Sequence, residues 1–362
     1  MIGVGVVGTG VISEEYLRNL TSFPDVRVLA VADLDPARAA AQAARHGVPR
    51  SSTVDELLAD PDIGIVVNLT VPAAHVEVCL AAIEAGKHVW VEKPLGLDLR
   101  AARGLLDLAA QRGLRVACAP DTLLGAGWQT ARRAVDAGLI GEPRTALALF
   151  QSPGPESWHP APEFLFQAGG GPLFDMGPYY LTGLVHLLGP IRRVTATGGR
   201  ARDTRVIGSG PRAGVEFAVT VPTTVTALVE FERGGSAQAV FSFDSALSRT
   251  GFVEVAGTLG TAVLPDPNRF DGTTELHLSD GVRTLAPQGH SASRGTGVLE
   301  LARAIRAGAP ERASGELAYH VLDAMSAVEE SIAEGRSVDV GSTVEPPAAL
   351  PVDWDPLSPA AR

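Results

Sequence analysis

Two kinds of hydrophobic pattern divide the chain near residue 120. Before that point, short valine-rich runs alternate with stretches of helical period. The runs "IGVGVVG" (2–8), "VRVLAVAD" (26–33), "IGIVVNLT" (63–70), "HVWVE" (88–92) and "RVACA" (115–119) suit strands buried on both faces. Between them, 73–85 places Val76, Cys79, Leu80 and Ile83 at i, i+3, i+4 and i+7, an apolar stripe closed by Gly86. In 98–112, Asp98 is placed to cap a helix whose buried face is Leu105, Leu106 and Ala109. Strand–helix alternation of this kind predicts a doubly wound parallel sheet.

After residue 120 the strands crowd together. A helix over about 126–138 stops at "AGLIGEP", and strand-like runs follow at 144–151, 191–198, 223–233, 236–244, 251–257 and 275–285. Turn-forming stretches such as "RGG" (233–235) separate them, which predicts an antiparallel sheet. Helices near 296–307 and 315–334 come next, then an extended proline-rich tail. The expected domains are 1–121, an α/β nucleotide-type domain; 122–340, an α+β domain on a large, mostly antiparallel sheet; and 341–362, the tail.

Composition narrows the classes. The chain has 362 residues, 45% apolar and 20% charged, which suits an ordinary two-domain globular protein. A formal net charge of −11 without a basic cluster argues against nucleic acid and anionic membrane surfaces. No window reaches the length of a membrane-spanning helix, and "MIGVGVVGTG" lacks the features of a signal peptide. Two cysteines, Cys79 and Cys118, support neither a disulfide framework nor a metal cluster. His277, His290 and His320 have no metal spacing with acids or cysteines, and His186 reads as a core histidine. A cytoplasmic protein without a metal is expected.

The chemistry is concentrated at strand ends. Gly8-Thr9-Gly10-Val11-Ile12-Ser13 forms a G-x-G-x-x-small turn directly after the first strand, suited to a pyrophosphate at a helix N-terminus. Asp33 ends the second strand, where an acid binds ribose hydroxyls. "ADLD" offers two acids and no evident base for a 2′-phosphate, so NAD is favoured over NADP. Asn68, Thr70 and His75 lie at the same carboxyl edge as candidate cofactor contacts, with helix capping as the plainer role. Glu92, Lys93 and Pro94 end a further strand, and the Lys-Pro step admits a cis bond. In "GGGPLFDMGPYYLTGLVHLLG" (169–189), Asp175 and Tyr179 are four apart and share a helix face. A buried Asp175 needs a partner, and Lys93 is the candidate.

Together these segments resemble the Gfo/Idh/MocA oxidoreductases, a family named for glucose–fructose oxidoreductase, inositol dehydrogenase and a rhizopine-catabolism protein. The resemblance spans nearly the whole chain and rests on the glycine turn, "AGKHVWVEKP", "DAGLIGEP" and "GGGPLFDMGPYYLTGLVHLLG". It implies a Rossmann domain and hydride transfer between nicotinamide and a secondary hydroxyl or ketone of a sugar, polyol or sugar derivative. It also implies active-site roles for Lys93 and Asp175. Tyr179 stands where the family motif has histidine, and Thr182 where it has a later acid. Tyrosine there resembles the glucose–fructose oxidoreductase and dihydrodiol dehydrogenase branches. A trans-dihydrodiol or other non-sugar dehydrogenase is the alternative, and a non-catalytic NAD-binding regulator a third.

Tyr179 is the candidate general base. A phenol titrating near pH ~10 needs a shift of about three units, roughly 4 kcal/mol, to act near neutrality. A neighbouring ammonium supplies much of such a shift, and Lys93 is its source. The rival assignment gives the proton to Lys93 and a substrate hydrogen bond to Tyr179. Asp175 orients the substrate hydroxyl or fixes Lys93. Trp158 and His159, on the loop before Asp175, and Asp121 are candidate substrate contacts. A homodimer or homotetramer is expected, with a second copy covering the sheet.

Overall fold

The computed structural model describes residues 1–290 and 292–360. Of these, one compact unit takes 1–126, 288–319 and 347–360, and a second takes 127–287 and 320–346. The first begins β1 (Ile2–Val7), α1 (Ser13–Leu20), β2 (Val26–Ala32), α2 (Pro36–His46), β3 (Arg50–Ser52), α3 (Val54–Ala59) and β4 (Ile63–Asn68). It continues with α4 (His75–Glu84), β5 (His88–Val91), α5 (Leu99–Gln111) and β6 (Val116–Cys118). The six strands form a parallel sheet in the order β3-β2-β1-β4-β5-β6. The order reverses between β1 and β4, and the crevice outside that switch point is where such sheets bind ligands. The three-residue edge strand β3 was not expected, because Arg50, Ser51 and Ser52 carry no apolar pattern.

Local chemistry explains the helix limits. Asp35 caps α2 by accepting from the N–H groups of Ala37 and Arg38, Pro36 opens it, and Gly47 ends it in the left-handed region at φ 64°. Asp98 accepts from the Ala101 N–H at the start of α5, as its position in the sequence predicts.

The second unit holds α6 (Ala126–Asp136), β7 (Pro143–Gln151), α7 (Gly171–Leu188), β8 (Ile191–Gly199), β9 (Thr204–Val206) and β10 (Glu216–Ala218). β11 (Thr224–Phe231), β12 (Ser236–Ser242), β13 (Arg249–Gly257), β14 (Gly260–Leu264), β15 (Thr274–Leu278) and β16 (Gly281–Leu285) follow. Then come α8 (Thr296–Ala307), α9 (Gly315–Glu334) and β17 (Val338–Asp339). The large sheet runs β16-β15-β14-β13-β7-β12-β11-β8-β17, antiparallel except where β7 and β12 pair in parallel. It is mostly antiparallel, as expected, with one parallel pair. The run 275–285 resolves into the hairpin β15–β16, while β9, β10 and β14 were not anticipated.

The linear boundaries also need correction. α8 lies in the first unit, because Val298, Leu299, Leu301 and Ala302 share one core with Val4, Val6, Tyr16 and Trp90. Burying such aliphatic side chains contributes about 1.5–3 kcal/mol each. The tail returns there too: the Arg303 guanidinium stacks on Trp354 at 4.8 Å and donates to the carbonyls of Asp355 and Ser358 at 2.8 and 2.6 Å. A boundary drawn along the sequence cannot register a chain that comes back.

Candidate active site

The glycine turn lies between β1 and α1. Gly8 has φ 96°, and a Cβ on it would sit 2.7 Å from the Leu69 backbone, so only glycine fits. At Gly10 an added Cβ would meet no protein atom within 4 Å. Val11 beside it is 96% exposed, and Leu34, next to Asp33, is 99% exposed. An open backbone flanked by uncovered apolar side chains at a helix N-terminus fits a dinucleotide. Ile12 is half-buried, packed against the core below the turn.

The Asp33 carboxylate is crowded with donors. Oδ2 accepts from the backbone N–H and hydroxyl of Thr9 at 2.7 and 2.8 Å; Oδ1 accepts from the Asp35 N–H at 2.9 Å and Arg38 Nη2 at 2.5 Å. Burial pushes the carboxyl pKa up, but Arg38 and these N–H groups outweigh it and hold it well below the usual range. Arg38 corrects the expectation of an acid without a nearby base. It lies five residues on, and the first turn of α2 carries it back.

Asn68 and His75 face inward. The Asn68 amide donates to the His75 carbonyl at 3.0 Å and accepts from the Thr70 hydroxyl at 2.6 Å. The turn before α4 is thereby fixed, with Thr70 half-buried at its outer side. His75 is 1% exposed and sits between two backbone carbonyls, with Nδ1 2.7 Å from Pro94 O and Nε2 3.0 Å from Thr70 O. Burial lowers its pKa, while the two carbonyls and Glu92 oppose that shift. Both residues bond to the backbone of the turns at this edge, the plainer of the two roles their positions in the sequence suggested.

Lys93 follows β5, and its bond to Pro94 is cis. Glu92 accepts from the Lys93 N–H at 3.1 Å and from the Tyr16 hydroxyl at 2.7 Å. Asp121 is fully buried and accepts from the N–H groups of Gly295 and Gly297 at 2.8 and 3.3 Å, at the start of α8. Burial raises its carboxyl pKa, and Arg294 Nη1 at 3.3 Å opposes that. Asp121 thus anchors α8, a correction to its reading as a substrate contact.

In the second unit, α7 carries the other candidates. Every one of its residues is buried except half-buried Asp175. Tyr180 sets the helix rotation. Its hydroxyl accepts from the Gly251 N–H at 2.7 Å, and its ring meets Phe150 and Phe241 edge-on at 6.3 and 5.7 Å. Tyr179 lies about 100° round the helix from Tyr180, on the face it shares with Asp175.

The loop before α7 exposes Trp158 to 67%, edge-on to His159 at 5.6 Å, which meets Phe164 at 5.5 Å. Buried Arg205 of β9 holds this loop: its guanidinium pairs with Glu156 and Asp244, donates to the carbonyls of Pro153 and Phe243, and lies over the Phe166 ring at 4.9 Å. Sequence reading missed Tyr16, Arg38 and Arg205. It also missed a compositional signal for Lys93. Of thirty Lys and Arg residues only Lys87 and Lys93 are lysines. Among the described residues no group of His, Cys, Asp and Glu is placed to hold a metal, and no helix is long and apolar enough to cross a membrane.

Comparison with known proteins agrees with this geometry. Residues 2–119 match the GFO/IDH/MocA oxidoreductase family with an NAD-binding Rossmann fold, and residues 128–263 match the GFO/IDH/MocA C-terminal domain. The trans-1,2-dihydrobenzene-1,2-diol dehydrogenase of Bos taurus is 30% identical over 73% of this chain and 74% of its own. The 1,5-anhydro-D-fructose reductase of Ensifer adhaerens is 29% identical over 72% and 74%. An NAD-binding oxidoreductase from Klebsiella pneumoniae superposes with a TM-score of 0.81 at 25% identity, over 94% of this chain and 98% of that one. With a parallel sheet carrying the dinucleotide turn and a second unit built on a large mixed sheet, the chain belongs to the GFO/IDH/MocA family of NAD(P)-dependent oxidoreductases.

Proposed function

We propose that the protein transfers a hydride between nicotinamide and the secondary hydroxyl or ketone carbon of a sugar, polyol or sugar derivative, with NAD preferred. The observation that carries this reading is Lys93, presented after β5 on the same carboxyl edge as the glycine turn and Asp33. The nicotinamide, when bound, accepts or returns the hydride. Gly8, Thr9, Gly10, Val11 and Ile12 receive the pyrophosphate, and Asp33 receives the ribose hydroxyls. Asn68, Thr70, His75 and Glu92 shape the edge.

Tyr179 takes the hydroxyl proton during oxidation and returns it during reduction. The Lys93 ammonium stabilises the phenolate, and Asp175 orients the substrate hydroxyl. Trp158 and His159 offer ring faces to the substrate's C–H surface. A trans-dihydrodiol substrate is the second reading, favoured by the 30% identity to the Bos taurus enzyme.

The outward face of the large sheet carries Leu147, Leu149, Leu228, Val240 and Phe252 between buried neighbours. A second copy covers it, giving a homodimer or homotetramer that light scattering would register. A monomer at all concentrations would reject that part.

The test of the reaction is absorbance at the reduced-nicotinamide band, with NAD⁺ or NADP⁺ and a panel of sugars, polyols and trans-dihydrodiols. Turnover with at least one class is expected. Lys93→Ala should lower it by about 10²-fold or more, with NAD⁺ affinity changed less than about three-fold. Full activity in that variant overturns the assignment.

A further inference from the structure

We propose that Tyr16 and His75 are positioning residues for Lys93, gripping the residues on either side of it so that its ammonium is offered from one fixed point. The inference rests on the proposed role of Lys93 and deepens it. On one side, a chain of hydrogen bonds runs from the Trp90 indole N–H to the Tyr16 hydroxyl at 3.1 Å. It continues from that hydroxyl to Glu92 Oε1 at 2.7 Å, while Glu92 Oε2 accepts from the Lys93 N–H at 3.1 Å. The Glu92 N–H donates to the Asn68 carbonyl at 3.0 Å, which ties the same residue to the end of β4. On the other side, the Pro94 carbonyl meets His75 Nδ1 at 2.7 Å, and the opposite ring nitrogen reaches the Thr70 carbonyl at 3.0 Å.

The placement of these two side chains is what separates them from ordinary core residues. Tyr16 is fully buried on α1, the helix that starts at the glycine turn, so the element facing the pyrophosphate also holds Glu92. Burial and the Glu92 charge push the phenol's pKa well up, which keeps it protonated and a donor. His75 opens α4, and its ring links the turn after β4 to the turn after β5. A lysine has four rotatable side-chain bonds, so fixing its backbone from both flanks is the economical way to limit where the ammonium goes. Small displacements of a reacting group lower rates steeply, and so the benefit appears in turnover before it appears in binding.

Lys87 and Lys93 are the chain's two lysines, which gives a readout independent of turnover. Lys87 is buried, and its ammonium donates to the Asp60 carbonyl at 2.6 Å, away from both braces. The full-length protein, without cofactor, is acetylated with acetic anhydride across a pH series, and Lys93 is compared with Lys87 by peptide mass spectrometry. Tyr16→Phe and His75→Ala should each change the Lys93 rate by about three-fold or more, or displace its pH midpoint, while Lys87 stays fixed. His75→Gln keeps one N–H for the Pro94 carbonyl and should recover part of the wild-type profile.

With an active substrate, Tyr16→Phe should lower kcat about ten-fold with KM nearly constant. NADH binding, followed by fluorescence, should change less than about three-fold. Lys93 profiles identical to wild type in Tyr16→Phe and His75→Ala would overturn the proposal, and so would equal shifts at Lys87. If Tyr16→Phe does not fold, His75→Ala and His75→Gln decide alone. A fully active Lys93→Ala would instead overturn the functional reading, so the two failures are distinguishable.

Discussion

The two units hold their reactive elements by opposite means. In the first, the carboxyl edge is braced by several separate contacts, near and far in sequence: Asn68 holds Thr70, His75 holds the Pro94 carbonyl, Tyr16 holds Glu92, and Glu92 holds the Lys93 N–H. In the second, α7 and its loop depend on distant partners. Gly251 reaches Tyr180, and Arg205 gathers Glu156 and Asp244 from two other segments. Many separate contacts share the load in one unit, while a single buried cation carries much of it in the other. Substitution should therefore degrade the first gradually and the second abruptly.

The largest effects are expected on α7. Tyr179→Phe should lower kcat by about 10²–10⁴-fold with little change in substrate affinity. Tyr180→Phe should leave kcat near wild type and reduce stability by about 1–2 kcal/mol, because the Gly251 N–H loses its acceptor. Steady-state kinetics beside thermal melts separate the two; reversed behaviour would exchange their roles. Arg205→Leu leaves two half-buried carboxylates and two carbonyls without their shared donor and should reduce stability by about 1–3 kcal/mol. Arg205→Lys should recover little of it, since one ammonium cannot span the same fork of acceptors. Denaturant melts check this, and a loss confined to substrate affinity would show the loop to be independently stable.

Smaller effects are expected in the first unit and at two histidines. Asp33→Ser should weaken NAD⁺ by about ten-fold, roughly 1.4 kcal/mol, and improve NADP⁺ relative to it because Arg38 is released. Calorimetric titration with both dinucleotides measures the ratio. Smallest is the acid response. His88 accepts the Arg115 N–H at 3.0 Å, His320 accepts the Ile191 N–H at 2.8 Å, and burial lowers both imidazole pKa values. With folded values below an unfolded value of about 6.5, their stabilisation is present above that pH and lost as pH falls through the folded pKa. Melting temperature should drop between about pH 7 and 5.5, and His320→Gln should flatten the slope more than His88→Gln, because His320 is the more deeply buried. Equal slopes in all three proteins would remove these histidines from the account.

Much of the first unit was legible because its signals are local. Valine runs, the Asp98 cap and the glycine turn each depend on residues within one or two turns of chain. The same held for the helix that carries Asp175 and Tyr179. The role of Asp121 was not legible, since an acid after a strand looks alike whether it faces ligand or anchors α8. Nor was β3, whose three residues are shorter than any period that could announce them.

By itself the sequence determined the alternation that makes the parallel sheet, the glycine at position 8 that only a side-chain-free residue can occupy, and the shared face of Asp175 and Tyr179. These follow from steric limits and helical period, which act between near neighbours. Tertiary structure alone decided that α8 and the tail return to the first unit, that β7 and β12 pair in parallel, and that Tyr16 and Arg205 hold the residues they hold. Each of those outcomes depends on which distant surfaces and donors fill one another's needs when water is excluded, and no stretch of chain carries that information alone.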